Sequence, residues 1–155
     1  MMTVNAKMVA QYFLSRSTPN TDYSITHLKL QKLVYYAQAW HLALKEGKPL
    51  FEDRIEAWVH GPVCPEIYPV YKEYGYFEIP PAECPQEFNS TENKEKREVL
   101  EMVWNNYGKY DGKFLEALTH QELPWIEARE GYEEHESGSK EISEKAMENY
   151  YKNLN

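Results

Sequence analysis

The chain has 155 residues, a length typical of one domain, and 42% of them are hydrophobic and 14% aromatic. This composition excludes a disordered protein, because it supplies enough apolar side chains to bury a core. Seventeen Lys and Arg oppose 25 Asp and Glu, and the resulting formal charge of −8 argues against a nucleic-acid partner. Residues 1–51 hold six cations and two acids, whereas residues 76–155 hold nine and eighteen, so we expect surfaces of opposite charge.

Cysteine usage and the N-terminal sequence point to the cytoplasm. Cys64 and Cys84 are too few for a disulfide-dependent secreted fold and lack the spacing of a zinc site, so we expect reduced, buried thiols. The first residues contain no long apolar segment, and no stretch approaches the roughly 18 apolar residues that a membrane span needs. We therefore expect a cytoplasmic protein with no membrane contact, no metal and no cofactor.

The first two predicted elements are amphipathic helices. Apolar residues repeat at helical spacing over residues 4–15, behind Thr3 as an N-cap. A longer repeat over residues 26–46 ends at Gly47. Its apolar stripe comprises Leu30, Leu33, Val34, Ala37, Trp40, His41 and Leu44. The remaining positions are expected to form a basic and aromatic flank that a partner can use: His27, Lys29, Lys32 and Tyr36.

Short β structure is predicted in two places. Alternating apolar residues over 50–59 indicate a strand, which Gly61 and Pro62 end and a loop over 60–63 follows. A brief strand is also indicated at 77–79, inside a proline-rich loop over 76–89. The pairing of the first strand stays open between 77–79 and another segment.

The rest of the chain is predicted to be helical, with polar loops between the helices. Ser90 or Thr91 and, later, Asp111 occupy N-cap positions, and Pro69 is expected to shorten or kink the helix that contains it. These helices are expected over 65–75, 91–107, 111–118, 124–131 and from 143 onwards, after an acidic loop. The fold class is therefore mainly α, a compact single domain over 1–155 with a short β-ribbon around 51–60 and 76–80.

Catalytic signatures are absent from the sequence. There is no nucleophile elbow, no Gly-rich phosphate loop and no histidine pair at metal-ligand spacing, so we expect no enzyme activity. We interpret His41 as a hydrogen-bonded core residue and His60 as part of a rigid turn. The alternative is a small hydrolase or transferase that uses His60 or His120 with a carboxylate. A pocket in which one of these histidines meets a carboxylate would favour this alternative.

Aromatic residues are concentrated in the second helix and in the segment that follows it. They are Tyr35, Tyr36, Trp40, Trp58, Tyr68, Tyr71, Tyr74 and Tyr76. Core packing is the simplest interpretation of the tryptophans. The tyrosines outnumber the hydroxyl partners that a core of this size readily provides, so some are expected to line a protein interface.

Three sequence blocks stand in a characteristic order: LKLQKLVYYAQAW at 28–40, PLF at 49–51 and IEAWVHGPV at 55–63. Their order and spacing resemble the Panacea domain, the SocA-like antitoxin family that also occurs in prophage-encoded proteins. Residues 114–129, with LTH at 118–120 and PW at 124–125, resemble the C-terminal part of the family. The resemblance extends over about residues 5–130 and leaves the acidic loop and last helix, 131–155, outside it.

The resemblance implies a mostly helical antitoxin of a two-gene toxin–antitoxin pair that neutralises a cognate protein toxin by direct binding. One alternative within the family is an adaptor that delivers the toxin to a Clp-type protease. Another is a prophage accessory protein that binds a host protein. Some relatives carry an additional DNA-binding region, but this sequence shows no spare helix-turn-helix, so no direct nucleic-acid contact is implied.

Two roles are expected within the matched blocks. Residues expected to hold the fold are Leu30, Leu33, Trp40, Trp58, Gly61, Pro62 and Trp125, with Gly61 and Pro62 fixing the turn. Residues expected to offer exposed atoms to the toxin are Lys32, Tyr36, His60, Tyr68 and Tyr71. Tyrosine serves there as an amphipathic anchor and lysine as a charge complement. A purely structural or solvated role is the alternative for each.

Toxin choice is expected to reside either in residues 131–155, which depart most from the family pattern, or on the flank of the second helix. Four glutamates in the acidic loop would steer a basic toxin electrostatically: Glu130, Glu133, Glu134 and Glu136. A merely solvated loop is the simpler interpretation.

Overall fold

The structure, a computed structural model, describes residues 3–154 and is built around one central helix. That helix, α2 (His27–Leu44), packs against four of the other six helices. The helices are α1 (Ala6–Arg16), α2, α3 (Tyr68–Tyr71), α4 (Lys94–Tyr107), α5 (Gly112–Thr119), α6 (Leu123–Ala128) and α7 (Glu144–Leu154). None of these helices is long and apolar enough to cross a membrane.

The helix caps follow the predicted chemistry, with one correction. Thr26 Oγ1 accepts a hydrogen bond from the Lys29 amide at 3.3 Å, and Asp111 Oδ1 accepts one from the Phe114 amide. The N-cap of α1 is Asn5, whose Oδ1 accepts from the Met8 amide at 2.9 Å, so the prediction of Thr3 is wrong. The helix starts two residues later than its apolar pattern suggests.

Two three-residue strands form the predicted β-ribbon. Strand β1 (Glu56–Trp58) pairs antiparallel with β2 (Gly61–Val63), in the register Glu56 to Val63. The mainly α fold class is confirmed, but the second strand lies at 61–63, where a loop was expected, and not at 76–80. A turn of two residues closes this hairpin, so pairing within it costs far less loop entropy than pairing with the distant segment.

The segment 77–79, where a brief strand was expected, makes one long-range backbone hydrogen bond and no ladder. The Ile79 amide donates to the carbonyl of Ile25 at 2.8 Å. Pro80 and Pro81 follow directly, and because proline has no N–H group they cannot extend a ladder.

The other edge of β1 is covered by a segment from the C-terminal region. The Ala57 amide donates to the Lys140 carbonyl, and the Ile142 amide donates to the Ile55 carbonyl, both at 2.8 Å. Residues 140–142 therefore leave neither edge of β1 open, which removes a site for unwanted strand pairing.

A buried network of tyrosines and one carboxylate joins α7 to α2. Tyr36 and Tyr151 each donate a hydroxyl hydrogen bond of 2.8 Å to Glu122 Oε1, and the hydroxyls of Tyr35 and Tyr151 lie 2.9 Å apart. Burial raises the pKa of Glu122, although the two tyrosine hydrogen bonds partly oppose this effect. Tyr107 stacks on Tyr36, with ring centroids 4.1 Å apart.

The network predicts that Tyr151→Phe lowers the stability of the protein and that the same change at Tyr150 does not. This change removes two buried hydrogen bonds and leaves the Tyr35 hydroxyl without its described partner, so we expect a loss of about 1–3 kcal/mol in the free energy of unfolding. The matched control, Tyr150→Phe, removes a hydroxyl on the half-buried neighbour and should change stability by less than about 0.5 kcal/mol. Urea unfolding of both variants measures the difference, and equal midpoints would contradict the network's role.

Candidate functional site

A cleft of about 470 Å³ opens beside the N-terminal half of α2. Its walls are α2, the β-hairpin, α5 and the segment formed by α3 and the following 3₁₀ turn (Lys72–Tyr74). The charged lining residues are Lys32, Lys72, Lys113 and Glu116; the aromatic ones are His27, Trp58, His60, Tyr68 and Tyr76. A concave surface with mixed apolar and polar lining is the usual form of a binding site.

Two side chains of α2 hold the hairpin against the helix. Gln31 Oε1 accepts from the Cys64 amide at 2.8 Å, and its Nε2 lies within 3.4 Å of the Cys64 carbonyl. Lys32 Nζ donates to the Pro62 carbonyl at 3.1 Å. The floor of the cleft is therefore fixed by hydrogen bonds from two consecutive helix residues.

Gly61 allows the hairpin to approach α2 this closely. Its φ of +104° is a conformation that residues with a side chain rarely adopt. A Cβ atom at this position would lie 2.6 Å from Lys32 Cε and 3.0 Å from Thr119 Oγ1. The structural role predicted for Gly61 thus has two physical causes, backbone conformation and lack of space.

His60, at the turn of the hairpin, joins α5 through a carboxylate. Its Nδ1 lies 3.0 Å from Glu116 Oε2, and Lys113 Nζ lies 3.6 Å from Glu116 Oε1. The side chain of His60 is 68% exposed and that of Glu116 only 15%. Burial opposes ionisation of Glu116, but the His60 hydrogen bond and the Lys113 charge outweigh it and lower the pKa of Glu116.

Lys32 lies beneath the His60–Glu116 pair with no exposed surface. Burial lowers its pKa to about 7, and the Glu116 charge only partly opposes this shift. Its ammonium group has three donors but one described acceptor, the Pro62 carbonyl. Lys32 is therefore an incompletely satisfied amine next to the cleft.

Lys29, one turn earlier on α2, provides a direct contrast. It is also buried, but its Nζ donates to three backbone carbonyls, those of Asp22, Ser24 and Gly108, at 2.6–3.0 Å. Burial lowers its pKa to about 8. Lys29 thus acts as a structural cross-link among three segments, whereas Lys32 retains donor capacity.

Two further histidines lie at the edges of this region. His120 stacks on Trp125 with centroids 3.9 Å apart, its Nε2 is buried without a hydrogen bond, and burial lowers its pKa. His27 Nε2 accepts from Gln31 Nε2 at 3.0 Å, and its ring contacts Tyr68. Burial lowers the pKa of His27 to about 4, so this ring stays neutral near pH 7.

The structure places three of the five predicted toxin-contacting residues together. Lys32, His60 and Tyr68 line the cleft, whereas Tyr36 lies in the Glu122 network and the Tyr71 ring lies beside His27. The expected exposure is wrong for Lys32, Tyr36 and Tyr71, which are buried; His60 and Tyr68 are exposed. The basic and aromatic flank expected on α2 is likewise absent, because His27, Lys29, Lys32 and Tyr36 are all buried.

The predicted structural residues are buried or half-buried, and two of them, Gly61 and Pro62, lie in a strand and not in the expected turn. Leu30 and Leu33 are fully buried, Gly61 and Pro62 form part of β2, and Trp125 is buried. Trp40 and Trp58 are only half-buried; the Trp40 indole donates to the Tyr107 hydroxyl at 2.9 Å. Cys64 is a buried free thiol as expected, whereas Cys84 is a half-buried one.

Sequence reasoning missed three cleft residues, Lys72, Lys113 and Glu116. The last two are an i, i+3 pair on α5, a spacing that predicts an ion pair but not its location. Glu116 lies 56 positions from His60 in the chain, so no local pattern could have joined them.

The acidic loop is held in place by Arg129. Its Nη2 donates to the carbonyls of Glu133 and Glu136, its Nη1 donates to the Ala57 carbonyl, and its guanidinium lies over Trp125. The four glutamates considered for steering are exposed, and their steering role stays a prediction: Glu130, Glu133, Glu134 and Glu136.

The cleft meets the condition set for the enzyme alternative, since His60 binds a carboxylate there. Such a pair can transfer a proton, and Lys32 and Ser137 also line the cleft, whereas two nearby side chains outside the lining, Thr119 and Cys64, are engaged or inactive. The Thr119 hydroxyl donates to the Glu116 carbonyl at 2.8 Å, and burial raises the pKa of the Cys64 thiol to about 12. Within residues 3–154, no three His, Cys, Asp or Glu side chains are placed to hold a metal ion.

Comparison with known proteins assigns the chain to a family. The model of the family described as antitoxin SocA-like, Panacea domain, matches residues 30–126, which is more than half of the chain. The chain belongs to this family. Antitoxin SocA of Caulobacter vibrioides (strain NA1000 / CB15N) is 38% identical over 73 residues, which cover 47% of this chain and 38% of that relative. No solved structure matches the chain.

The family assignment confirms the resemblance seen in the sequence blocks and supports an antitoxin role. The matched range begins inside α2 and ends inside α6. It therefore includes the hairpin, α3, α5 and nearly all of the cleft lining, whereas the acidic loop and α7 lie outside it.

The two buried lysines of α2 predict opposite mutational effects. Lys32 has a pKa of about 7 in the folded protein and an ordinary value of 10.5, so the folded state binds fewer protons between these values and stability rises with pH across that range. Lys32→Met should flatten this rise and preserve or increase stability near pH 7, because the burial cost of the ammonium disappears. Denaturant unfolding at about pH 7 and about pH 9.5 measures the slope.

The matched control is Lys29→Met, which leaves three buried carbonyls without their donor. We expect it to lower the free energy of unfolding by about 2 kcal/mol or more at both pH values. An equal loss of stability in the two variants would contradict the distinction between a satisfied and an incompletely satisfied lysine.

Proposed function

We propose that this chain is an antitoxin that neutralises a cognate protein toxin by binding it directly, without enzymatic turnover. Family membership supports the antitoxin role. One observation carries our choice of binding surface: Tyr76 and Phe77, next to the cleft, are 94% and 81% exposed. Two adjacent aromatic side chains in water are typical of an interface anchor that lacks its partner.

The exposed aromatic surface extends beyond these two residues. Tyr68, Val70 and Tyr74 on the same segment are also exposed, and Tyr68 lines the cleft. We name these five residues, Tyr68, Val70, Tyr74, Tyr76 and Phe77, the aromatic rim. Two of the residues that the sequence suggested as toxin contacts, His60 and Tyr68, belong to the rim or adjoin it.

Two backbone hydrogen bonds support the turn that carries the aromatic rim. The 3₁₀ turn ends at Gly75, whose amide donates to the Lys72 carbonyl, and the Phe77 amide donates to the Tyr74 carbonyl at 2.9 Å. An anchor that is already ordered loses little conformational entropy on binding. This favours direct occlusion of the toxin over a mechanism that requires refolding of the antitoxin.

Co-expression with the adjacent gene in its native genomic context tests the proposal. The product of that gene should stop growth when expressed alone, this chain should restore growth, and the two proteins should co-purify. Purification after treatment with nuclease keeps a nucleic-acid bridge from imitating a direct complex. Failure with every adjacent gene would contradict the antitoxin role.

The double variant Tyr68→Ala/Tyr76→Ala tests the surface. Loss of two aromatic anchors should weaken the complex by about tenfold or more and abolish rescue of growth. The matched control is Leu44→Ala, an exposed apolar residue that lies about 24 Å along α2 from the cleft residue Leu28. It should leave affinity unchanged. A normal complex with the double variant would place the toxin elsewhere.

Two alternatives have distinct readouts in the same system. Delivery to a Clp-type protease predicts that the toxin disappears when this chain is present and persists when the protease is deleted, whereas occlusion predicts a stable toxin in both strains. An enzyme that uses His60 and Glu116 predicts that Glu116→Gln abolishes rescue while the complex still forms. A toxin-free genomic neighbourhood would favour a host protein as the partner.

A further inference from the structure

The charge of the cleft is opposite to that of the whole molecule. The chain has a formal charge of −8, yet the cleft lining contains three lysines, Lys32, Lys72 and Lys113, and one carboxylate, Glu116. The glutamates of the acidic loop line a separate depression and not the cleft. A positively charged cleft on a negatively charged protein selects partners by charge, because an acidic partner is attracted to the cleft and repelled by the rest of the surface.

The single carboxylate in the cleft is already in contact with two neighbours. Glu116 Oε2 accepts from His60 at 3.0 Å, and its Oε1 lies 3.6 Å from Lys113 Nζ. No described acid pairs with Lys72, which is exposed on the opposite wall. Lys113 is 73% exposed despite its contact with Glu116. Both lysines therefore have donors available to an incoming anion.

The aromatic rim lies next to these cations. Tyr68 and Tyr76 line the same cleft as Lys72 and Lys113, and Tyr76 and Lys113 also line a smaller adjoining cavity of about 200 Å³. The groove thus continues past Tyr76 toward the N-terminus of α5. Asp111 lines this smaller cavity as well. The dimensions of the groove and its mixed apolar and charged lining fit an extended or helical peptide segment better than a small ion.

We propose that the cleft receives an acidic segment of the toxin, with toxin carboxylates pairing with Lys72 and Lys113 and an apolar toxin side chain packing between Tyr68 and Tyr76. This inference rests on the proposed function and adds the chemistry of the partner. Lys32, beneath the cleft, adds positive potential only in its protonated form, because burial lowers its pKa to about 7. Glu116 holds His60 and orders the wall opposite Lys72.

The proposal gives the toxin a specific complementary feature. The surface that the antitoxin covers on the toxin carries Asp or Glu, even where the rest of the toxin is basic. A basic toxin with an acidic docking segment would match both the acidic loop and the cleft, because the two lie side by side at Ser137, which lines the cleft.

Carbodiimide cross-linking tests this directly, because the reagent joins a lysine amine to a carboxylate only when the two are in contact. The complex of this chain with the product of the adjacent gene is treated with carbodiimide, digested and analysed by mass spectrometry. We expect bonds between Lys72 or Lys113 and toxin Asp or Glu residues. Cross-links confined to other lysines would overturn the proposal.

Charge reversal provides the quantitative arm. Lys72→Glu/Lys113→Glu should weaken toxin binding by about tenfold or more and slow association most strongly at low salt. The control, Lys45→Glu/Lys48→Glu, makes the same charge change at the far end of α2, where Lys45 forms only a partly exposed ion pair with Glu95. It should change affinity by less than about threefold.

The neutral variant Lys72→Gln/Lys113→Gln keeps the test valid if a new carboxylate beside Glu116 disturbs α5. It should weaken binding by an intermediate amount, with circular dichroism unchanged. Equal affinities for the wild type, the cleft variants and the control would overturn the acidic-segment proposal and leave the antitoxin role intact. Absence of any complex with the wild type would overturn both.

Discussion

Hydrogen bonds from side chains of α2 to the backbone of other segments are the interactions on which the rest of this fold depends. The two strands have only three residues each, so most buried loop backbone lacks a partner in regular structure. Gln38 accepts from the Leu50 amide and donates to the Phe51 carbonyl, both at 2.8 Å, and Gln31 binds Cys64 similarly. One central helix thus satisfies backbone groups that a larger sheet would otherwise satisfy, and its polar residues are as structural as its leucines.

The candidate site also depends on these hydrogen bonds from α2. It lies beside Lys32, the α2 side chain whose donors are not all satisfied. Lys29 donates to three carbonyls, whereas Lys32, packed closely against Gly61 of the hairpin, donates to one, the Pro62 carbonyl. The buried amine is costly to the fold, and its retention beside an exposed histidine and an aromatic rim is the kind of local compromise expected at a binding site. Glu116 limits this cost by placing a negative charge near the amine. Under the proposed binding role of the cleft, stability and binding compete at Lys32.

The positions of the helices could be predicted from the spacing of apolar residues and from the caps. The burial of the polar residues of α2 could not be predicted from the same pattern. A pattern of apolar residues assigns polar positions to an exposed face, but fourteen of the eighteen residues of α2 are buried, so Lys29 and Tyr36 point to partners inside the protein. The Gly108 carbonyl that binds Lys29 lies 79 positions away, and no local signal reveals such a partner. The sequence predicts the first strand of the β-ribbon but leaves its partner open, because pairing depends on loop closure and not on strand composition; the partner is Gly61–Val63. The cleft pair His60 and Glu116 was missed for the same reason of distance.

The regions outside the family-matched range complete the core. Residues 140–142 cover the free edge of β1, and Tyr151 of α7 donates to Glu122, a buried carboxylate within the matched range. The inner face of α7 is therefore committed to packing, and changes there would alter stability before they altered a toxin contact. The flank of α2, the other place where toxin choice was expected, is buried. Variation between related antitoxins would then affect partner choice most directly at the aromatic rim and the exposed lysines, where side chains can change without leaving a buried polar group unpaired.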